Sequence, residues 1–388
     1  MRTAAVVARV LDPLKESIHA ARLKCLCRMI GAALVVGKLT LTAVGRALEG
    51  GGKTKHSIKR VDVLLGNRRF LGDTEAVQRH LAGLMAKASR AVLLVDWTDI
   101  SKLWTALVVT YVSEGRGLTL CWEVHPQAKK NSSKVETTVL SRIAALLPVD
   151  AKPILVSDAG FRGPWLKKVR RRGWDFVGRV RGRVSVRSHG GLWHDVKKLW
   201  AQAHRRPKDL GTFELARYQP VEARLISLLP KRRRGWKPKE LPRVGRRKKR
   251  NIKAAREPLI LATSMQTATA KEVAELYGLR WQIEMTFRDQ KCGRFGLGLN
   301  AIRTKQLQRA RAYVLLAVLA HYVAFVLGAE AERAGLSPQF QANTVRNRRV
   351  LSWPRLGCEL LRCTHLLVQL AAQLPTLPLV TYGKCGDP

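Results

Sequence analysis

Two short apolar runs constrain this chain more than any other feature. Ala91-Val92-Leu93-Leu94-Val95 and Pro153-Ile154-Leu155-Val156-Ser157 are continuous rather than alternating, and each stops at an acid, Asp96 or Asp158. A run this short with no polar face reads as a strand buried on both sides, as in the middle of an α/β sheet. Carboxylates at the ends of such strands lie at the edge where open α/β folds bind ligands.

The segments between and after these runs give the order of the fold. Ala106–Val112 and Leu118–Val124 flank Ser113-Glu114-Gly115-Arg116-Gly117, a glycine-containing hairpin loop. Ser132–Leu147 carries helical spacing in Val135, Val139, Ile143, Leu146 and Leu147. A basic helix around Trp165–Arg172 leads to a strand over Asp175–Val180. Strand, hairpin, helix, strand, helix, strand is the order of a ribonuclease-H-like α/β core, spanning 91–182. Residues 183–255 break that rhythm with β-like pieces at Arg183–Val186, Phe213–Tyr218 and Arg224–Leu229. This is read as a β-rich insertion, with a basic loop over 231–250 that holds twelve Lys or Arg against one acid, Glu240. Residues 256–300 return to the core through Leu259–Ala262 and a helix that Thr269-Ala270-Lys271-Glu272 opens with capping-box spacing, ending near Gly293. Residues 1–90 form a helical region with Asp12, Thr54 and Asp73 as caps. A helix pair over roughly 305–334 and 352–372 makes 301–388 a helical C-terminal region.

Composition narrows the partner. The 388 residues hold 71 Lys and Arg against 28 Asp and Glu, a formal charge of +43, while 46% hydrophobic content is enough for a packed core. The first partner to consider is an acidic polymer, nucleic acid before an anionic membrane surface. Tyr313–Leu327 is apolar for only fifteen residues and contains His321, short of the roughly 20 a bilayer span needs; it reads as a core or dimer helix. Arg2, Arg9, Asp12, Lys15 and Glu16 interrupt the apolar N-terminus, so no clean signal peptide is read and a cytoplasmic, nucleoid-associated location is expected. Seven scattered cysteines without a Cys-x-x-Cys pair read as reduced thiols. Gly51 and Gly52 lead into Lys53, Lys55, Lys59 and Arg60, which suits a phosphate grip, with a solvated basic face as the alternative.

The 270–292 segment carries the chemistry. Tyr277, Arg280, Glu284, Arg288 and Lys291 fall on one face of a 3.6-residue helix. Three carboxylates, Asp96, Asp158 and Glu284, form an oxygen donor set for two Mg²⁺ or Mn²⁺ ions about 4 Å apart, the arrangement for in-line displacement at phosphorus. Arg280 and Lys291 are then placed to hold adjacent phosphates. No GxxxxGK[ST] element occurs, so no nucleotide cofactor is expected.

Tyr277-x₂-Arg280-x₃-Glu284-x₆-Lys291 resembles the Tyr-Arg-Glu-Lys signature of bacterial insertion-sequence transposases of the DDE type. Leu93-Leu94-Val95-Asp96-Trp97-Thr98-Asp99 and Ser157-Asp158-Ala159-Gly160-Phe161 are similar to that family's other two acid blocks, with Asp96 favoured over Asp99 because Asp99 lies past the apolar run. The resemblance implies a metal-binding triad of Asp96, Asp158 and Glu284, with Tyr277, Arg280 and Lys291 on the phosphates of the transposon end and Arg288 beside them. It implies a flipped base stacked on a tryptophan, either Trp281 or Trp236. It further implies double-stranded DNA as partner, a homodimer, and cut-and-paste transposition through hairpinned ends, for which the large insertion is a sign. Three rivals stand beside this reading. Retention of all three acids and the signature cations argues against an inactive DNA-binding relic, a structure-selective nuclease would explain the acids but not the full signature or the large insertion, and an RNA-packaging protein would leave the acids idle.

Overall fold

Both apolar runs form strands. The strands are β1 (Val92–Asp99), β2 (Trp104–Val112), β3 (Gly117–Pro126), β4 (Ile154–Ser157), β5 (Asp175–Val180), β6 (Ser185–Ser188), β7 (His194–Asp195), β8 (Lys208–Leu215), β9 (Val221–Leu228) and β10 (Leu259–Thr263). The helices are α1 (Thr3–Val10), α2 (Ala20–Val36), α3 (Leu41–Ala47), α4 (Thr54–Gly66), α5 (Arg68–Met85), α6 (Ser133–Leu146), α7 (Gly163–Arg170), α8 (Ala270–Gly278), α9 (Trp281–Lys291), α10 (Leu307–Arg333) and α11 (Trp353–Leu360). This computed structural model describes residues 3–50, 52–85, 90–182, 184–230, 257–294, 296–342, 344–345, 348–363 and 365–367. The basic loop at 231–250, Trp236 within it, and the C-terminal part of the 352–372 helix lie outside the described residues.

The chain divides into two units. The first unit takes residues 90–95 and 150–281. In it, Val92 to Val95 pair in parallel with Ile154 to Ser157, and β4 pairs in parallel with β5, from Ile154↔Asp175 to Ser157↔Gly178. Leu93, Leu94, Val95, Leu155 and Val156 are fully buried, each contributing about 1.5–3 kcal/mol of transfer free energy. Beyond β5 the sheet turns antiparallel through β10, β9, β8, β6 and β7. The described residues of the expected insertion therefore make no sheet of their own. β9 pairs with β10 from Leu228↔Leu259 to Arg224↔Thr263, so they lengthen the existing one.

The second unit takes residues 1–89, 96–149 and 282–388. Here β1 continues past Asp96, because Trp97 and Thr98 are buried and the Thr105 hydroxyl donates to the Thr98 carbonyl at 3.1 Å. The acid interrupts the apolar run but not the strand. β2 and β3 form a long bulged hairpin from Val112↔Gly117 to Trp104↔Pro126. The N-terminal helices form as expected, but Asp73 is no cap. It sits inside α5, buried, and accepts two bonds of 2.8 Å from the Arg22 guanidinium on α2. Thr54 is the first residue of α4, whose N-cap is Lys53, and Asp12 opens a single 3₁₀ turn after Leu11. The six cysteines among the described residues are free thiols.

The 313–327 segment lies inside α10. That helix is long and apolar enough to cross a membrane, yet its apolar window is wholly buried within the protein. It is a core helix, and the burial of Tyr313–Leu327 leaves that stretch no apolar face for a dimer partner. α10 and α11 pack backbone against backbone. A Cβ on Gly357 would sit 2.0 Å from the Ala324 carbonyl oxygen, and one on Gly328 would sit 1.8 Å from that of Trp353. Gly357→Ala is therefore expected to lower stability by about 1–3 kcal/mol through overpacking, measured as a shift in the urea midpoint; an unchanged midpoint would contradict this packing.

Candidate active site

Val95 pairs with Ser157, and the next residue along each strand is an aspartate, Asp96 or Asp158. Both are half-buried.

In the first unit, Asp158 begins a tight turn closed by the Phe161 N–H donating to the Asp158 carbonyl at 3.1 Å. Phe161 is buried against Trp165, ring centroids 4.9 Å apart and planes tilted by 52°, and this contact anchors the turn to α7. The Tyr277 hydroxyl, at the end of α8, donates to Asp158 Oδ1 at 3.3 Å. Burial, then the Asp158 charge, pushes the Tyr277 hydroxyl up to about 12, against the opposing pull of Arg280 and Arg179. Tyr277 therefore stays protonated and remains a donor. The Arg280 guanidinium carbon lies 5.9 Å from the Tyr277 ring centroid. Arg179 was not singled out from the sequence. It follows Gly178, the register partner of Ser157, so it occupies the strand position beside Asp158. Its Nε is buried without an acceptor among the described residues. A charged residue inside the apolar run Phe176–Val180 was the signal available.

The helix expected over 270–293 is two helices. Thr269 and Glu272 form the predicted capping box, with the Thr269 N–H donating to Glu272 at 2.7 Å, but α8 ends at Gly278 and α9 begins at Trp281. Glycine is a poor helix interior residue, and the chain breaks there. The uninterrupted face from Tyr277 to Lys291 is therefore not formed. Glu284 and Arg288 share the exposed side of α9, and Trp281 is 48% exposed at its start.

In the second unit, polar groups fix α9. Gln282 accepts the Ser113 N–H at 3.1 Å, and the Thr286 hydroxyl both accepts the Gly117 N–H at 2.9 Å and donates to the Gly117 carbonyl at 2.8 Å. Asp289 is buried, receives Arg116 Nε at 2.5 Å, and has the buried His321 Nε2 at 3.7 Å. Burial alone would raise the Asp289 carboxyl, but His321 and Arg116 outweigh it and hold it below its ordinary value. At the last turn of α9, Lys291 Nζ donates to the Thr98 hydroxyl at 2.6 Å and to the Asp99 carbonyl at 3.3 Å. Burial lowers the Lys291 pKa, opposed by the charges of Asp99 and Asp96. The signature lysine is thus seated at the end of β1. Asp96 Oδ1 accepts the N–H of Trp97 at 2.8 Å, whereas Asp99 is exposed and engaged by Lys130 at 2.7 Å and Gln127 at 3.2 Å.

Lys53, Lys55, Lys59 and Arg60 are all exposed on the first turns of α4, with Lys59 3.3 Å from Asp62. Among the described residues, no group of three or more His, Cys, Asp or Glu side chains is gathered as a metal cage. The expected ligands Asp96, Asp158 and Glu284 would each offer only oxygen, the donor type a hard divalent cation requires.

Residues 87–323, more than half of the chain, match the family described as the transposase DDE domain. No curated protein sequence matches.

Arg116→Met leaves the buried Asp289 carboxylate without its guanidinium and is expected to cost about 3–5 kcal/mol at neutral pH. Because the folded Asp289 pKa is depressed, its contribution is present above the unfolded value near 3.9 and is lost as pH falls through the folded value. The difference between Arg116→Met and the parent in urea unfolding should therefore shrink towards acid pH. A difference that stays constant with pH would assign the loss to packing instead.

Proposed function

The chain belongs to the DDE transposase family, and on that premise we propose that it cuts the ends of a mobile DNA element and joins them to new DNA. Transposase function and DNA as partner come with the family. The finer reading is ours. It rests on one observation above all: the residues that follow the mated pair Val95 and Ser157 are both aspartates, inside the matched region.

We assign Asp96, Asp158 and Glu284 as the carboxylates that hold divalent cations, Mg²⁺ or Mn²⁺, two per site, on a ribonuclease-H-like core. Mg²⁺ is commonly held by one or two carboxylates plus substrate phosphate oxygens, so a site completed by DNA suits these residues. When bound, such ions activate an oxygen nucleophile and stabilise the leaving 3′ oxygen. The protein's own groups do the rest. Tyr277 donates to Asp158 and keeps one carboxylate oxygen oriented. Arg280 and Arg179 bring positive charge to the same place and neutralise incoming phosphate. Lys291, held by Thr98, sets a further cation beside Asp96, and Arg288 stands on the Glu284 side of α9. Trp281 is exposed and offers a ring for a displaced base, a role for which Trp236 is the alternative. Lys53, Lys55, Lys59 and Arg60 grip the phosphates of the inverted repeat.

The reaction is phosphoryl transfer without a covalent enzyme intermediate. Water opens a phosphodiester at the element's end, and the freed 3′ hydroxyl attacks the opposite strand to form a hairpin. A second hydrolysis opens the hairpin, and the 3′ end then joins the target. Each step exchanges one phosphodiester oxygen for another, so no nucleotide cofactor is needed. A homodimer acting in the bacterial cytoplasm would bring two ends together.

Mg²⁺-dependent nicking at the terminal repeats is expected for the parent and should fall at least a thousand-fold in Asp96→Ala, Asp158→Ala and Glu284→Ala while DNA binding persists. Full cleavage by any of the three would overturn the assignment. Parent protein that binds but never cuts would favour an inactive relic, and cutting at branched DNA of any sequence would favour a nuclease. Affinity should fall with salt by about 0.9 log units per phosphate contact per log unit of salt; a flat response would contradict the phosphate grip.

A further inference from the structure

The connection between β8 and β9 carries an exposed aromatic residue on strained backbone beside the Asp158 turn. Leu215 pairs with Val221, which leaves residues 216–220 as the connection. Within it Ala216 and Gln219 have φ of 67° and 60°, and neither is a residue type that adopts the left-handed region readily. Such backbone persists only where its surroundings hold it, and it clusters at sites of function. The surroundings are present on one side. The Ala216 N–H donates to the Ser185 carbonyl at 2.8 Å, and a Cβ built on Gly163 would lie 3.8 Å from both Ala216 Cβ and Val221 Cγ2. Val221 is buried, and Arg170 of α7 donates to the Glu222 carbonyl at 3.0 Å, so α7 packs along the start of β9. The inner end of the connection is anchored, while its tip stands in solvent. Tyr218 is 92% exposed, and Arg217, Gln219 and Pro220 are exposed with it.

The place of this tip gives it a meaning. Gly163, which lies near Ala216 and Val221 at the two ends of the connection, begins α7 five residues after Asp158, and Arg162 between them is exposed. Five residues of chain cannot span more than about 18 Å, and the Asp158–Phe161 turn shortens that. On duplex DNA the reach from Asp158 to Gly163 is then within about five base-pair steps. An exposed tyrosine preceded in the chain by Arg217, on a connection whose ends lie near the start of α7 where Arg162 is exposed, offers a stacking face and phosphate-binding groups, the combination that holds an unstacked nucleic-acid base.

We propose that Arg162, Arg217 and Tyr218 form a nucleic-acid contact beside the Asp158 turn, in which the Tyr218 ring stacks on an unpaired base and the two guanidiniums hold the adjoining phosphates. The backbone at Ala216 and Gln219, on either side of Tyr218, holds the connection in one course, so less backbone freedom is lost on binding. This contact rests on DNA being the substrate. It is separate from the Tyr277 cluster and from the tryptophans considered above.

The test uses the full-length protein and a duplex of arbitrary sequence with a single-stranded overhang containing 2-aminopurine, whose fluorescence is quenched by stacking. The parent should quench it, as should Tyr218→Phe and Tyr218→Trp. Tyr218→Ser should lose the quench and bind about ten-fold more weakly, with an unchanged thermal midpoint because the side chain is exposed. Arg162→Gln and Arg217→Gln should each lower the salt slope of binding by about one. Quenching and affinity in Tyr218→Ser equal to the parent would overturn the proposal. A change of oligomeric state with quenching intact would assign the tip to a protein contact and overturn it likewise. Asp96→Ala should quench as the parent does, which separates this contact from the cleavage assignment. If the parent cuts DNA but Tyr218→Ser changes nothing, only the stacking contact fails.

Discussion

The parallel pairing of Val92–Val95 with Ile154–Ser157 is the constraint on which the rest depends. Both faces of this pair are buried, so slipping it by one residue would repack both faces at once and draw an aspartate, Asp96 or Asp158, into the apolar ladder. Burial of the whole run makes such a slip prohibitive. The register therefore fixes where each chain leaves its apolar run, and Asp96 and Asp158 are the next residues out. The same register carries on to β5, where Gly178 mates with Ser157 and Arg179 follows. Apolar packing thus positions charged groups that could not pack themselves.

α9 is held by a different kind of force. Its inward face presents Gln282, Thr286, Asp289 and Gln290 beside Ile283 and Phe287, and the polar members satisfy loop and hairpin groups of β2 and β3. Hydrogen bonds and a buried ion pair are directional where apolar contacts are not. A helix seated this way has one azimuth, and Glu284 and Arg288 are the residues that azimuth leaves exposed. The hold of Lys291 on Thr98 fixes the other end of the same helix to the strand that bears Asp96.

Much of this could be read in the sequence, for identifiable reasons. Continuous apolar runs, a Gly-containing hairpin and a Thr-x-x-Glu capping box are local signals, and β1, β4, the β2–β3 hairpin and the start of α8 formed where those signals lay. What failed to show depended on partners distant in the chain. β1 runs on past Asp96 because β2 covers Trp97 and Thr98, which no local pattern announces. Asp73 looked like a cap and is the buried partner of Arg22, 51 residues away. Asp289 carries no local sign of burial, yet it is buried with Arg116, 173 residues away, and with His321 beside it. The Tyr277–Lys291 spacing promised one helical face, but Gly278 ended the first helix early. The spacing is a property of the sequence, while the single straight helix it promised is not there.

The central claim is that Asp96, Asp158 and Glu284 serve the same divalent ions. Replacing Mg²⁺ by Fe²⁺ in the DNA complex and generating hydroxyl radicals at the bound iron would test it directly, because the radicals cut only backbone close to the ion. The account predicts three cuts, near residues 96, 158 and 284, all suppressed together by excess Mg²⁺. Cuts near 96 and 158 with none near 284, or cuts that Mg²⁺ does not suppress, would contradict it.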